Sequence, residues 1–170
     1  MSVAQLVSLA IAIVASAWDL RTRRIPQLLT FGGALAAFAF HSINGGWDAG
    51  VASAAGWAVG IAIFFVPFAL GGLGAGDVKL LGAIGAWLGP MNVIWVGLYA
   101  GVAGGILAIF VALTKGYLIQ AVGNVGVMLA YWRLHGIRPL PEITLEHSRG
   151  PRLAYAVPIL AGTLVTLWLK

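Results

Sequence analysis

Only five acidic residues occur in this 170-residue chain, and two of them sit at the edges of apolar runs. Asp19 closes a run from about Ser2 to Trp18, and Asp77 opens another at Val78. A carboxylate beside hydrocarbon is costly, about 2.5–3.5 kcal/mol at a helix centre and less near the interface, so its presence points to function. Two carboxylates brought close cannot both ionise readily. They share a proton near neutral pH and titrate as one coupled pair. Such a pair can hydrolyse a peptide bond. The ionised member takes a proton from the attacking water, and the protonated member polarises the scissile carbonyl and then helps protonate the leaving amine. Taken singly, each aspartate has a plainer reading. Asp19 could be an interfacial charge paired with Arg23, four residues on, and Asp77 could be a helix N-cap. Asp48, Glu142 and Glu146 read as solvated surface charge. The chain has no cysteine, which excludes thiol chemistry and cysteine-ligated metal. His41, His135 and His147 fall on different sides of the inferred topology, so no metal or organic cofactor is expected.

The elements that must position Asp19 and Asp77 follow from composition. Hydrophobic residues make up 61% of the chain and charged residues 9%, with a mean hydropathy of +0.97. A soluble domain of this size could not cover itself, so the lipid bilayer is the implied solvent. The length allows one membrane-embedded domain, residues 1–170. The net charge of +5 comes mainly from arginines and lysines in short loops between apolar runs. That is a topology signal, and it does not point to a nucleic-acid partner. Apolar runs cover about 2–18, 28–43 and 49–70, then a long stretch 78–114 broken by Gly89-Pro90, and finally 153–169. Six spans put Arg21, Arg23, Arg24, Lys115, Arg133, Arg138, Arg149 and Arg152 on one side, which the positive-inside rule makes cytoplasmic. Span one then ends, and span four begins, at the same face, so the sequence delivers both aspartates there. Ala15-Ser16-Ala17 resembles a signal cleavage site, but no basic residue precedes it, so it is read as part of a mature span. Residues 116–132 are uncharged. A crossing there would place four arginines outside, so they are read as a helix lying in the interface. The fold class expected is all-α, a polytopic membrane helix bundle of about six transmembrane helices plus this interfacial helix.

Glycines recur at helix-packing spacing: Gly56 and Gly60, Gly85 and Gly89, and Gly97, Gly101 and Gly105, with Gly82 and Ala86 a similar pair. Trp18, Trp47, Trp87 and Trp168 stand near span ends and suggest an interfacial belt. The run Gly71-Gly72-Leu73-Gly74-Ala75-Gly76 precedes Asp77. With no strand before it, it lacks the context of a phosphate loop. Its bare backbone could instead receive an extended substrate. Lys79, two residues after Asp77, lies on roughly the other side of the helix and is expected to snorkel toward head groups.

These residues resemble a known family. Gly74-Ala75-Gly76-Asp77-Val78-Lys79 looks like the G-x-G-D-x-K signature of the type IV prepilin peptidases, aspartyl membrane enzymes that remove pilin leader peptides. Asp19, followed by Arg23-Arg24-Ile25-Pro26, is similar to their first catalytic aspartate, and the stretch 152–162 to their last span. Gln27 stands where the family usually has Asn. The resemblance implies Asp19 and Asp77 as the catalytic pair, with Gly74, Gly76 and Lys79 in the active-site loop. It implies prepilin-like substrates, a bacterial inner-membrane location and a site facing the cytoplasm. The short chain is similar to the peptidases of tight-adherence (Flp) pilus systems. Without the extra cysteine-bearing domain of the larger enzymes, N-methylation is not expected. The competing readings are a small proton-coupled transporter and a non-catalytic scaffold for pilus assembly. Nothing in the sequence specifies an oligomer.

Overall fold

A computed structural model describes residues 1–116, 118–136 and 153–169. The described residues are helical throughout, with no strand among them. The chain runs through α1 (Val3–Thr22), α2 (Gly33–Ala69), α3 (Ala75–Leu88), α4 (Pro90–Thr114), α5 (Leu118–His135) and α6 (Ala156–Leu169). Among the described residues, three segments are long and apolar enough to cross a membrane: Val3–Thr22, Leu28–Ala69 and Pro90–Thr114. The second, at 42 residues, has length for two crossings.

Each boundary has a local cause. Ser2 and Gln5 open α1 with a reciprocal capping box, Ser2 Oγ accepting from Gln5 N–H and Gln5 Oε1 accepting from Ser2 N–H. Arg23, in the left-handed conformation at φ 55°, closes the helix by donating its N–H to the Asp19 carbonyl. A π-helical turn, Leu28–Gly32, leads into α2. Gly46 breaks α2 at φ 73°, ψ −167°, a conformation open to glycine. The arms on either side fold back on one another: Ser42 Oγ occupies the place where a Cβ on Gly50 would stand. The expected outer loop 41–48 is thus reduced to this one kink. Six apolar segments result, the two arms of α2 counting separately, which is the expected all-helical membrane bundle.

The core gathers on α3, whose residues 80–87 are all buried. Against it pack the second arm of α2, then α1, α4 and α6. Glycine makes the α2–α3 contact possible. A Cβ on Gly60 would stand 2.6 Å from the Leu81 carbonyl oxygen, and one on Gly56 would strike the Gly85 carbonyl. Gly97 meets Ile63, as spacing suggested, but Gly101 and Gly105 have no described neighbour within 4 Å of an added Cβ. Gly104 is the packed position instead, because it alone faces Tyr155. Trp87 also departs from the belt reading. It is 6% exposed and donates Nε1–H to the Gly33 carbonyl at 2.9 Å, tying α3 to the first arm of α2. Trp18, Trp47 and Trp168 remain exposed.

Helix length sets the depth of the acid end. With 14 residues α3 is about 21 Å long, and with 25 residues α4 is about 38 Å. The two run antiparallel through the Gly89 turn. The start of α3 is therefore recessed by roughly 16 Å from the far end of α4.

Candidate active site

Asp19 belongs to a buried stripe of α1 at helical spacing: Ser8, Ile11, Ala12, Ala15, Ser16, Asp19. It is 7% exposed, so the carboxylate points into the bundle. The backbone N–H of Ala156, the first residue of α6, lies close enough to the Asp19 carboxylate to favour its charge. A helix N-terminus is a favourable neighbour for negative charge, since its N–H groups lack intrahelical partners. Ser16 completes the junction. Its hydroxyl lies 2.9 Å from the Ala156 carbonyl and 2.8 Å from the Ala12 carbonyl, both of which can accept from it. The first residue of α6 is thus tied to α1 through its carbonyl. Arg23 is close enough to act electrostatically on Asp19.

Asp77 enters from the first turn of α3. It is the third helical residue, not the N-cap. Gly74, extended at φ −81°, ψ 148°, takes the cap position. The Asp77 carboxylate reaches back and accepts the Gly74 N–H at 3.2 Å, one half of a capping box. Asp77 and Asp19 interact electrostatically, and so do Asp77 and Tyr155. The two acids are therefore near enough to act on each other, and the start of α6 stands beside Asp19.

The glycine run does two separate local jobs. Gly71, at φ 79°, and Gly72 terminate α2: Gly71 N–H donates to the Phe68 carbonyl and Gly72 N–H to the Pro67 carbonyl, both at 2.8 Å. This is the paired hydrogen bonding of a Schellman stop. Gly74 keeps room for the acid, since a Cβ there would lie 3.1 Å from Asp77 Oδ2. Gly76 lies inside α3 under Ile25, at ordinary contact distance. The segment after α1 thus packs over the turn that carries Asp77. Lys79 places its Nζ 5.1 Å from the centroid of the Phe31 ring, a cation–π arrangement. Among the described residues no ion pair joins it to Asp77.

Ser16, Tyr155 and Ala156 were not singled out from sequence as site residues. Ser16 could have been, as a polar residue three positions before Asp19 inside an apolar run. Among the described residues no three or more histidine or acidic side chains are grouped to hold a metal ion. Asp48 is exposed. Glu142, Glu146 and His147 lie outside the described residues.

The fold and the site define an all-helical membrane protein with two acids within electrostatic reach of each other. The model of the type IV leader peptidase family matches residues 6–109, more than half of the chain and including both aspartates. The chain belongs to that family, and it is a peptidase by that membership. The match ends before α6, so the place of α6 against Asp19 is a finding of the structure. Comparison with curated proteins and with solved structures gives no match.

Proposed function

We propose that this chain, as one membrane-embedded domain, is an aspartyl endopeptidase that removes the leader peptide from Flp-type prepilins at the cytoplasmic face of the bacterial inner membrane. The observation that supports the reading is that Asp19 and Asp77, from α1 and α3, lie within electrostatic reach of each other in a chain of the type IV leader peptidase family. In this mechanism the ionised carboxylate takes a proton from water as the oxygen bonds to the scissile carbonyl carbon. The protonated carboxyl hydrogen-bonds the carbonyl oxygen as charge builds there. Collapse of the tetrahedral adduct breaks the C–N bond, and the amine leaves with a proton from the pair. Gly74 N–H, donating to Asp77, holds that carboxylate in place for these transfers, and the N-terminus of α6 beside Asp19 favours charge there. The apolar helix of a pilin precursor fits a site recessed among membrane helices, and the glycine-bearing start of α3 leaves room beside Asp77.

Purified protein and a synthetic Flp-type prepilin test this directly. Asp19→Asn and Asp77→Asn should each lower cleavage by about a thousandfold or more, since Asn keeps the shape but cannot exchange the proton. The double variant should be no worse than either single one, because the residues act as a unit. Asp48→Asn should cleave like wild type. Near-normal cleavage by either single variant would refute the two-aspartate mechanism.

A further inference from the structure

The loop-to-helix junction at the start of α6 holds a contact that the peptidase reading does not itself require. Tyr155 directly precedes Ala156. Its ring crosses the Phe64 ring edge-on, with centroids 5.6 Å apart and planes at 77°. On its other side the phenol lies against the bare backbone of Gly104. A Cβ on Gly104 would collide with the Tyr155 hydroxyl and stand 2.6 and 2.7 Å from Cζ and Cε2. Real side chains do not approach so closely, so the ring occupies a notch that only glycine leaves open. Phe64, itself 4% exposed, presents a core ring for Tyr155 to pack against. The ring is therefore wedged between the second arm of α2 and the middle of α4.

The wedge bears on chemistry through one covalent bond. The Ala156 nitrogen is bonded to the Tyr155 carbonyl carbon, in a planar peptide. The N–H on that nitrogen is the α6 group that stands beside the Asp19 carboxylate, and the carbonyl of the same residue accepts from Ser16, three positions before Asp19 on α1. A shift of the Tyr155 ring that turns its backbone also turns this N–H. The Tyr155 carbonyl accepts from Ile159 N–H at 3.2 Å and so starts α6, which fixes the helix direction from the same residue. Ser16 holds the Ala156 carbonyl from the α1 side.

We propose that Tyr155 is a positioning residue of the peptidase site, its ring wedged between Phe64 and Gly104 so that the Ala156 N–H stays aimed at the Asp19 carboxylate. The proposal rests on the peptidase reading given above. It assigns the effect to the ring and its notch, and none to contact between Tyr155 and substrate. Turning the N–H away changes the chemical step and leaves substrate affinity in place, so the effect belongs in kcat and in the acid limb of its pH profile. A change that only loosened the fold would lower the amount of active protein without moving that limb.

The test uses the full chain in lipid nanodiscs, with the synthetic Flp-type prepilin as substrate. Gly104→Ala should lower kcat about tenfold, leave KM within about twofold and move the acid limb. Tyr155→Phe, which keeps the ring, should stay within about twofold of wild type in kcat. The double variant Gly104→Ala with Tyr155→Leu, which shortens the wedge to suit the filled notch, should recover at least about threefold over Gly104→Ala alone. Wild-type kcat in Gly104→Ala, or no recovery in the double variant, overturns the proposal. A loss in Tyr155→Phe as large as that in Gly104→Ala also overturns it, because the hydroxyl, through Asp77 or the substrate, would then carry the effect in place of the ring. Should Gly104→Ala fail to accumulate, Tyr155→Leu alone must show the kcat loss and the moved acid limb, and normal values there overturn the proposal. The aspartate variants separate the two layers. Activity that survives Asp19→Asn and Asp77→Asn defeats the parent reading, whereas inactive aspartate variants beside a normal Gly104→Ala defeat the wedge alone.

Discussion

Two glycine-bearing regions of α3 do opposite things. Along its middle, Gly82 and Gly85 lie against Gly56 and Gly60 of α2, and their missing side chains let two helix backbones touch. At its start, Gly74 makes no such contact. Its missing side chain keeps space beside the Asp77 carboxylate, which its N–H holds. The difference teaches that the same residue serves rigidity in one place and access in another. In the membrane, close packing supplies much of the association energy that the hydrophobic effect supplies in water. The middle of α3 is therefore the anchor, and the acid-bearing end is carried by it.

That contrast can be broken or sharpened by substitution. The largest stability effect is expected at the seam. Gly85→Ala puts a methyl group onto the Gly56 carbonyl, with backbone on both sides and no flexible side chain to give way. It should cost about 3 kcal/mol, seen as a lower Tm in detergent with activity lost in proportion to folded protein. An unchanged Tm would show that the seam is looser than its geometry. At the acid end, Gly74→Ala should leave Tm nearly unchanged and lower kcat about tenfold, because the new Cβ presses on Asp77 Oδ2. A fall in Tm comparable to that of Gly85→Ala would erase the distinction between the two regions. The smallest effect is expected at Gly101, which has open space around it. Gly101→Ala should fall within about 0.5 kcal/mol of wild type, with unaltered kcat. A large loss there would reveal a partner for the exposed half of α4.

The sequence made the positions of Asp19 and Asp77 legible because topology is written locally. Apolar run length and arginine placement are properties of neighbouring residues, and together they send both acids to one face. The same local logic located the breaks at Gly89-Pro90 and near Gly46. It misassigned Trp87, because a tryptophan near a span end reads alike whether it turns to lipid or inward to the Gly33 carbonyl. It also read Gly71 to Gly76 as one stretch of bare backbone. A glycine-rich string does not show where one helix stops and the next is capped, and the hydrogen bonds to Pro67 and Phe68 decide that.

By itself, the sequence determined that this is a helical membrane protein, with two acids at one end of its spans and a motif that places it in its family. Only the tertiary structure decided what stands beside those acids. Ser16 and Ala156 are 140 residues apart in the chain, and Gly104 meets Tyr155 across a segment that no periodicity connects. Helical spacing shows which residues share a face. It does not show which helix that face will meet, because the choice comes from the fit of all the helices together. The N-terminus of α6 reaches Asp19, and Tyr155 reaches its notch, because small residues on α1, α2 and α4 let those helices close around α3.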